Sequence, residues 1–310
     1  MRIVSLLPST TEIVFALGLG DQLAAVTHEC DYPEQARGLP VITSSALDHS
    51  DSSSAEIDMQ VRSQLRDGLS IYQLDHELLT RIQPQLILTQ ALCEVCAVSF
   101  GHVEAAVRDL QAEPLVLSLE PTRLDEIFGT ILAVGNVTDT RARAQALVAE
   151  LRGRVVQVRE RAAQASYRPR VALFEWCDPL YGPGHWMPEL VELAGGKLAF
   201  GEAGQPSRRI AWDSVIAFAP EVIVLTPCGF DLERAVAEAE AVLPERPGWE
   251  ALPAVRNGRV YVVDGNAFFS RPGPRIVESL ELLASFVHPE LFAGWGPAGA
   301  ARQIFVQPVS

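Results

Sequence analysis

Basic side chains are scarce in this sequence, and lysine is almost missing: Lys197 is the only one. Twenty-five basic residues face 39 acidic ones, a formal net charge of −14. A nucleic-acid backbone is neutralised by clustered Lys and Arg, so this balance excludes nucleic-acid binding as the main task. No uncharged apolar run is long enough to cross a bilayer, so no transmembrane segment is expected. The opening Met1-Arg2 runs straight into Ile3-Val4-Ser5-Leu6-Leu7. It shows no charged leader, long apolar stretch or small-residue cleavage site. The expectation is a cytoplasmic chain, or a periplasmic or otherwise extracytoplasmic one if a leader has been trimmed. The five cysteines, Cys30, Cys93, Cys96, Cys177 and Cys228, are an odd number, which rules out a complete internal disulfide set. In a chain of 310 residues they do not make a small-domain disulfide framework, and reduced thiols are expected. Catalytic signatures are missing too: no Gly-x-Gly-x-x-Gly after the first strand, no P-loop, no nucleophile elbow, no His-Glu-x-x-His. Gly18-Leu19-Gly20 closes a helix and does not open one. The chain therefore reads as a non-enzyme, with no catalytic residues and no required cofactor.

What is present is a core. Hydrophobic residues make up 48% of the chain, enough for two lobes with separate interiors. Arg2 to Leu7 reads as a buried strand, then Pro8-Ser9-Thr10-Thr11-Glu12 as a helix start, with Ser9 or Thr10 as cap and Glu12 in a capping box. Leu23 to Thr27, Leu86 to Gln90 and Leu115 to Leu119 read as further strands, with helices at 102–111 and 123–134. Residues 45–56, rich in Ser and Asp, read as a loop. From Asp139 to Ala165 there is no Pro, and Leu147, Leu151, Val155 and Val158 recur at helical spacing, so one long helix is expected. The second half repeats the strand–helix alternation: strands 171–175, 222–226 and 259–263, helices 187–194, 212–218, 231–242 and 274–287. The tail from Phe292 to Ser310, rich in Gly, Ala and Pro, reads as loosely packed. The fold class expected is α/β: two Rossmann-like lobes, 1–137 and 167–310, joined by a single backbone helix at 138–166.

Several stretches resemble a known family. Arg2-Ile-Val-Ser-Leu-Leu-Pro-Ser-Thr-Thr-Glu-Ile-Val-Phe-Ala-Leu-Gly-Leu-Gly20, with Asp31-Tyr32-Pro33 after it, resembles the opening of the cobalamin-binding proteins of ABC importers. Pro84-Gln-Leu-Ile-Leu88 is similar to that family's "P-D-L-V-I" strand. Trp212-Asp-Ser-Val-Ile-Ala-Phe-Ala-Pro-Glu-Val-Ile-Val224 is similar to its counterpart in the second lobe. Asn257-Gly-Arg-Val-Tyr-Val-Val-Asp264 through Ser270-Arg-Pro-Gly-Pro-Arg275 resembles the closing strand and helix. The likeness runs from Arg2 to about Val287. It implies a class III substrate-binding protein of the metal-chelate receptor superfamily, with a large chelate held in a cleft between the lobes. It also implies an acidic residue on each lobe that meets arginines of an ABC permease; Glu94 and Asp213 stand at matching positions. The family's pattern is lengthened here by an insertion near 45–75.

In α/β sheets a ligand sits beyond the carboxyl ends of the strands. Those positions hold Ser9 and Thr10; His28, Cys30 and Tyr32; Gln90 and Cys93; Trp176, Cys177, Tyr181, His185 and Trp186; Cys228; and Phe268, Phe269 and Arg271. These are the candidate ligand-binding residues. The aromatics offer broad faces to a flat macrocycle such as a corrinoid, or they plug the lobe interiors. His28 and His185 are candidate axial donors to cobalt, or hydrogen-bonded surface groups. Arg271 is a ligand clamp or a salt-bridge partner. Each cysteine is either packing or cleft lining. Cys93-Glu-Val-Cys96, joined by His28 and Cys30, is a candidate transition-metal site, although one C-x-x-C is half of a structural zinc set. The expected ligand is cobalamin; the alternatives are haem, a siderophore or a bare transition-metal ion. A further alternative is a cytoplasmic thiol-dependent corrinoid- or metal-handling enzyme using a pair such as Cys177 and His185. On the corrinoid reading, Trp186→Ala weakens binding.

Overall fold

The computed structural model describes residues 1–47, 52–67, 70–91, 100–108 and 110–305. Cys93, Glu94 and Cys96 lie outside the described residues. Two compact units emerge: residues 1–52, 56–121 and 126–149 form the first, and 53–55, 122–125 and 150–310 the second.

The first unit contains β1 (Ile3–Ser5), β2 (Leu23–Ala25), β3 (Thr43–Ser45), β4 (Tyr72–Leu74), β5 (Leu86–Thr89) and β6 (Leu115–Ser118). Four of these form a parallel sheet in the order β2-β1-β5-β6, with Ile3 opposite Leu86 and Ser5 opposite Leu88. Every residue of β1 and β5 is buried, as expected for parallel strands covered on both faces. The interior gathers Val4, Leu6, Ala25, Ile42, Leu79 and Ile87. Strands β3 and β4 pair antiparallel as a separate ribbon, Thr43 opposite Leu74. The helices in chain order are α1 (Pro8–Ala16), α2 (Ser54–Arg66), α3 (His76–Ile82), α4 (Phe100–Arg108), α5 (Leu124–Val137) and α6 (Arg141–Ala162).

The second unit holds β7 (Arg170–Phe174), β8 (Lys197–Leu198), β9 (Val222–Leu225), β10 (Val260–Val263) and β11 (Ala301–Ile304). Its sheet order is β11-β10-β9-β7-β8, parallel except for the antiparallel pair β10–β11. Its helices are α7 (Met187–Leu193), α8 (Trp212–Phe218), α9 (Leu232–Val242), α10 (Pro253–Arg256) and α11 (Ile276–Val287). The unit boundary at Ala149/Glu150 falls inside α6, so the chain passes it as continuous helix. Helix α6 buries Ala144, Val148, Leu151 and Val158. In the second unit, the Arg154 guanidinium forks onto Glu281 at 2.9 and 2.7 Å.

Three expectations are corrected. The tail is not loosely packed throughout: residues 301–304 pair with β10, and Ile304 is buried. The Ser/Asp-rich segment gives way to α2 at Ser54. Neither Ser9 nor Thr10 caps α1; the cap position is Leu7, because Pro8 takes the first helical turn, where its missing N–H costs nothing. The Thr10 and Thr11 hydroxyls instead turn back to donate to the Leu7 carbonyl at 3.0 and 3.2 Å.

Candidate ligand site

Both parallel sheets reverse their winding beside the first strand of the unit. In the first, β2 lies on one side of β1 and β5 on the other; in the second, β8 and β9 flank β7. Carboxyl ends beside such a reversal leave room for a ligand. The loops there are built very differently.

In the first unit, a chain of hydroxyls ties the loops after β1 and β2 together. Ser5 and Thr10 share a hydrogen bond of 2.6 Å, and Thr11 donates to Ser5 Oγ at 2.8 Å. The Cys30 sulfur lies 3.1 Å from Thr11 Oγ1 and 3.2 Å from Thr27 Oγ1. All five residues are buried, so Thr10 and Cys30 act as ties between loops, and Ser9 and Gln90 are buried with them. His28 stands outside this network and is exposed. Its Nδ1 lies 2.8 Å from Thr43 Oγ1, which also accepts the His28 main-chain N–H at 3.2 Å. The Tyr72 ring is 5.6 Å from the imidazole, and the Tyr72 hydroxyl donates to Glu29 at 3.1 Å. Tyr32, 46% exposed, follows on the same loop.

In the second unit, the loop after β7 is organised by a carboxyl group. One Glu175 oxygen accepts the Gly184 N–H at 2.6 Å and the other the Ser207 hydroxyl. Burial pushes the Glu175 carboxyl above the ordinary glutamate range, partly offset by these two donors. Gly184 has no alternative here: a Cβ would stand 2.3 Å from the Ser207 nitrogen. His185 takes φ +51°, its Nδ1 is buried without a partner, and burial lowers its basicity. Trp176 is half-buried, its indole N–H shared between the Ser54 and Asp178 carbonyls, each at 3.1 Å. Tyr181, also half-buried, lies under Arg209, 5.8 Å from ring centroid to guanidinium. Cys228 is an exposed thiol.

Several residues expected at the ligand lie in the interior. Trp186 is 5% exposed and donates its indole N–H to the Phe269 carbonyl at 2.8 Å; Phe269 is fully buried. Phe268 is buried under Arg275, and the buried Arg271 donates to Asn266 at 3.0 Å. Cys177 is fully buried, and burial pushes its thiol above the ordinary cysteine range, away from the reactive thiolate. Among the described residues, no group of three or more His, Cys, Asp or Glu gathers to hold a metal ion. Asp213 is exposed in the first turn of α8.

Three contributors escaped the reading of the sequence. Thr43 and Tyr72 sit on β3 and β4, strands too short to show a periodicity. Glu175 did leave a trace, since it is a charged residue closing the otherwise apolar run Val171-Ala-Leu-Phe174.

Two parallel-sheet units with a helix running through their boundary define the helical-backbone, class III substrate-binding proteins. The chain belongs to the periplasmic binding protein family, whose sequence profile matches residues 3–267. It is 25% identical over 303 residues to an ABC transporter substrate-binding lipoprotein, YvrC of Bacillus subtilis, covering 94% of this chain and 81% of that one. It is also 25% identical over 297 residues to the vitamin B12-binding protein of Vibrio cholerae, covering 92% and 88%. A crystal structure of the V. cholerae vitamin B12 binding protein BtuF superposes with a TM-score of 0.66 at 24% identity, covering 93% and 96%. The periplasmic heme-binding protein RhuT of a Roseiflexus species has the same fold, with a TM-score of 0.67 at 22% identity, covering 92% and 97%. No helix of the described residues is long and apolar enough to cross a membrane.

Proposed function

We propose that this chain is an extracytoplasmic receptor that captures a cobalamin-class corrinoid and hands it to an ABC permease. The observation that carries the reading is the nearly end-to-end sequence match to a vitamin B12-binding protein. The ABC-transporter lipoprotein relative supports the permease partner and a place outside the cytoplasm, in preference to the cytoplasmic expectation. The ligand-facing set consists of the candidates left exposed or half-buried at strand ends: His28 and Tyr32 in the first unit, Trp176, Tyr181, His185 and Cys228 in the second. Aromatic faces of this kind suit a flat macrocycle whose rim is apolar. Asp213, exposed at the start of α8, is the residue assigned to permease arginines. A thiol-dependent activity using Cys177 is disfavoured because that thiol is fully buried and burial pushes its pKa up.

The test is a titration of the reduced protein with hydroxocobalamin, followed by calorimetry and visible absorption, with haemin and free Zn²⁺ as comparison ligands. Saturable 1:1 corrinoid binding, tighter than that of either comparison ligand, is expected. Absence of corrinoid binding at micromolar concentrations, or preference for haemin, refutes the assignment.

A further inference from the structure

We infer that His28 supplies an axial donor, through Nε2, to the metal of the bound chelate, so that the receptor selects corrinoids carrying an exchangeable axial water. The inference rests on the receptor reading above.

Coordination through Nε2 requires the imidazole proton on Nδ1, and metal-ligating histidines commonly donate that proton to an oxygen. Thr43 Oγ1 stands 2.8 Å from Nδ1, and its second contact, from the His28 main-chain N–H, holds it there. The bond the His28 ring makes among the described residues runs through Nδ1, and the residue is exposed. Tyr72 flanks the imidazole at 5.6 Å and is itself held through Glu29, which limits rotation of the ring.

The rival donors are less suited. The Cys30 sulfur is buried between two threonine hydroxyls, and Cys177 is buried as a thiol. His185 offers the contrary geometry: its Nδ1 is buried with no acceptor, so a proton placed there for Nε2 coordination would be an unpaired buried donor.

A bare transition-metal ion requires several protein ligands. A corrin ring brings its own equatorial nitrogens and asks the protein for one axial donor. The exchange is simple: the Co–O bond to the axial water breaks, the Co–Nε2 bond forms and water departs. The cobalt oxidation state is unchanged, and the proton stays on Nδ1, donated to Thr43 Oγ1.

The experiment uses aquacobinamide, which has exchangeable axial ligands, and cyanocobalamin, whose axial positions are filled. Wild-type protein should bind aquacobinamide with a visible spectrum shifted to that of an imidazole complex, and cyanocobalamin without a shift. His28→Ala should lose the shift and about tenfold or more in affinity, with free imidazole restoring the shift; Thr43→Val should weaken aquacobinamide about tenfold. An unshifted aquacobinamide spectrum in wild type, or a full shift retained in His28→Ala, overturns the inference and leaves the receptor intact. A shift lost instead in Cys228→Ser transfers the role to that thiol and overturns it as well. If neither corrinoid binds, the receptor reading falls and takes this inference with it.

Discussion

The two strand-end clusters answer the same structural problem with different chemistry. In the first unit, neutral hydroxyls and one thiol join the loops after β1 and β2, and the exposed ring of His28 projects beyond them. In the second, a single carboxyl group receives donors from two segments distant in sequence, Gly184 and Ser207, and Trp186 and Phe269 are buried while Trp176 and Tyr181 stay half-buried. Hydroxyls donate and accept at once, so a network of them is satisfied without charge. A buried carboxylate only accepts, and its charge is costly wherever the donors are few. The first cluster is therefore indifferent to pH over the carboxylate range, while the second carries a titratable clasp.

Variants in the two clusters should separate accordingly. The largest effect is expected for Trp186→Ala, which empties an interior position and frees the Phe269 carbonyl. Denaturant unfolding should show a loss of about 3–5 kcal/mol for it. Normal stability together with weakened corrinoid binding would return Trp186 to the ligand face and erase the contrast between the clusters.

Next comes the clasp. Glu175→Ala leaves the Gly184 N–H and the Ser207 hydroxyl without their acceptor, at a cost of roughly 1–3 kcal/mol in chemical denaturation. The pH dependence has a definite sign. Burial raises the carboxyl's native pKa above its unfolded value, so the native state binds a proton that the unfolded chain has already released. Stability contributed by this group is therefore lost as pH rises from the ordinary glutamate range through the raised native value. Glu175→Gln should flatten that slope in thermal melts taken across the acidic range; an unchanged slope would assign it to other groups.

A smaller loss, about 1 kcal/mol, is expected for Thr11→Val, whose hydroxyl joins Ser5, Leu7 and Cys30. Its melting temperature should fall by the same amount at pH 5 and pH 7, in contrast to Glu175 variants. The smallest effect belongs to Tyr32→Ala: because the side chain is 46% exposed, stability should stay within about 0.5 kcal/mol of wild type while corrinoid affinity falls. Unaltered affinity would remove Tyr32 from the ligand-facing set.

Much of the framework was readable because it is local. Apolar runs such as Leu86-Ile-Leu88 and Val222-Ile-Val-Leu225 can only be strands buried on both faces, and the Pro-free stretch after Asp139 can only be a long helix. The opening Ile3–Gly20 and its echoes along the chain carried the family. The misreadings were contests between local signals and partners elsewhere. Residues 301–304 become a strand because β10 offers a free edge, and nothing in Ala301-Arg-Gln-Ile304 announces it. Ser9 and Thr10 look like helix caps until Pro8 claims the first turn and moves the cap back to Leu7.

The sequence by itself determined the alternation of strands and helices, the fold class and the kinship with chelate receptors, since each depends on patterns a few residues long repeated along the chain. Only the tertiary structure decided which strand-end residues are buried and which stay exposed. It gave Thr43 to His28, gave the Phe269 carbonyl to Trp186 and sealed Cys177 in the interior. Burial and hydrogen-bond partnership arise between segments far apart in the chain, Trp186 and Phe269 being separated by 83 residues, and no local pattern encodes them.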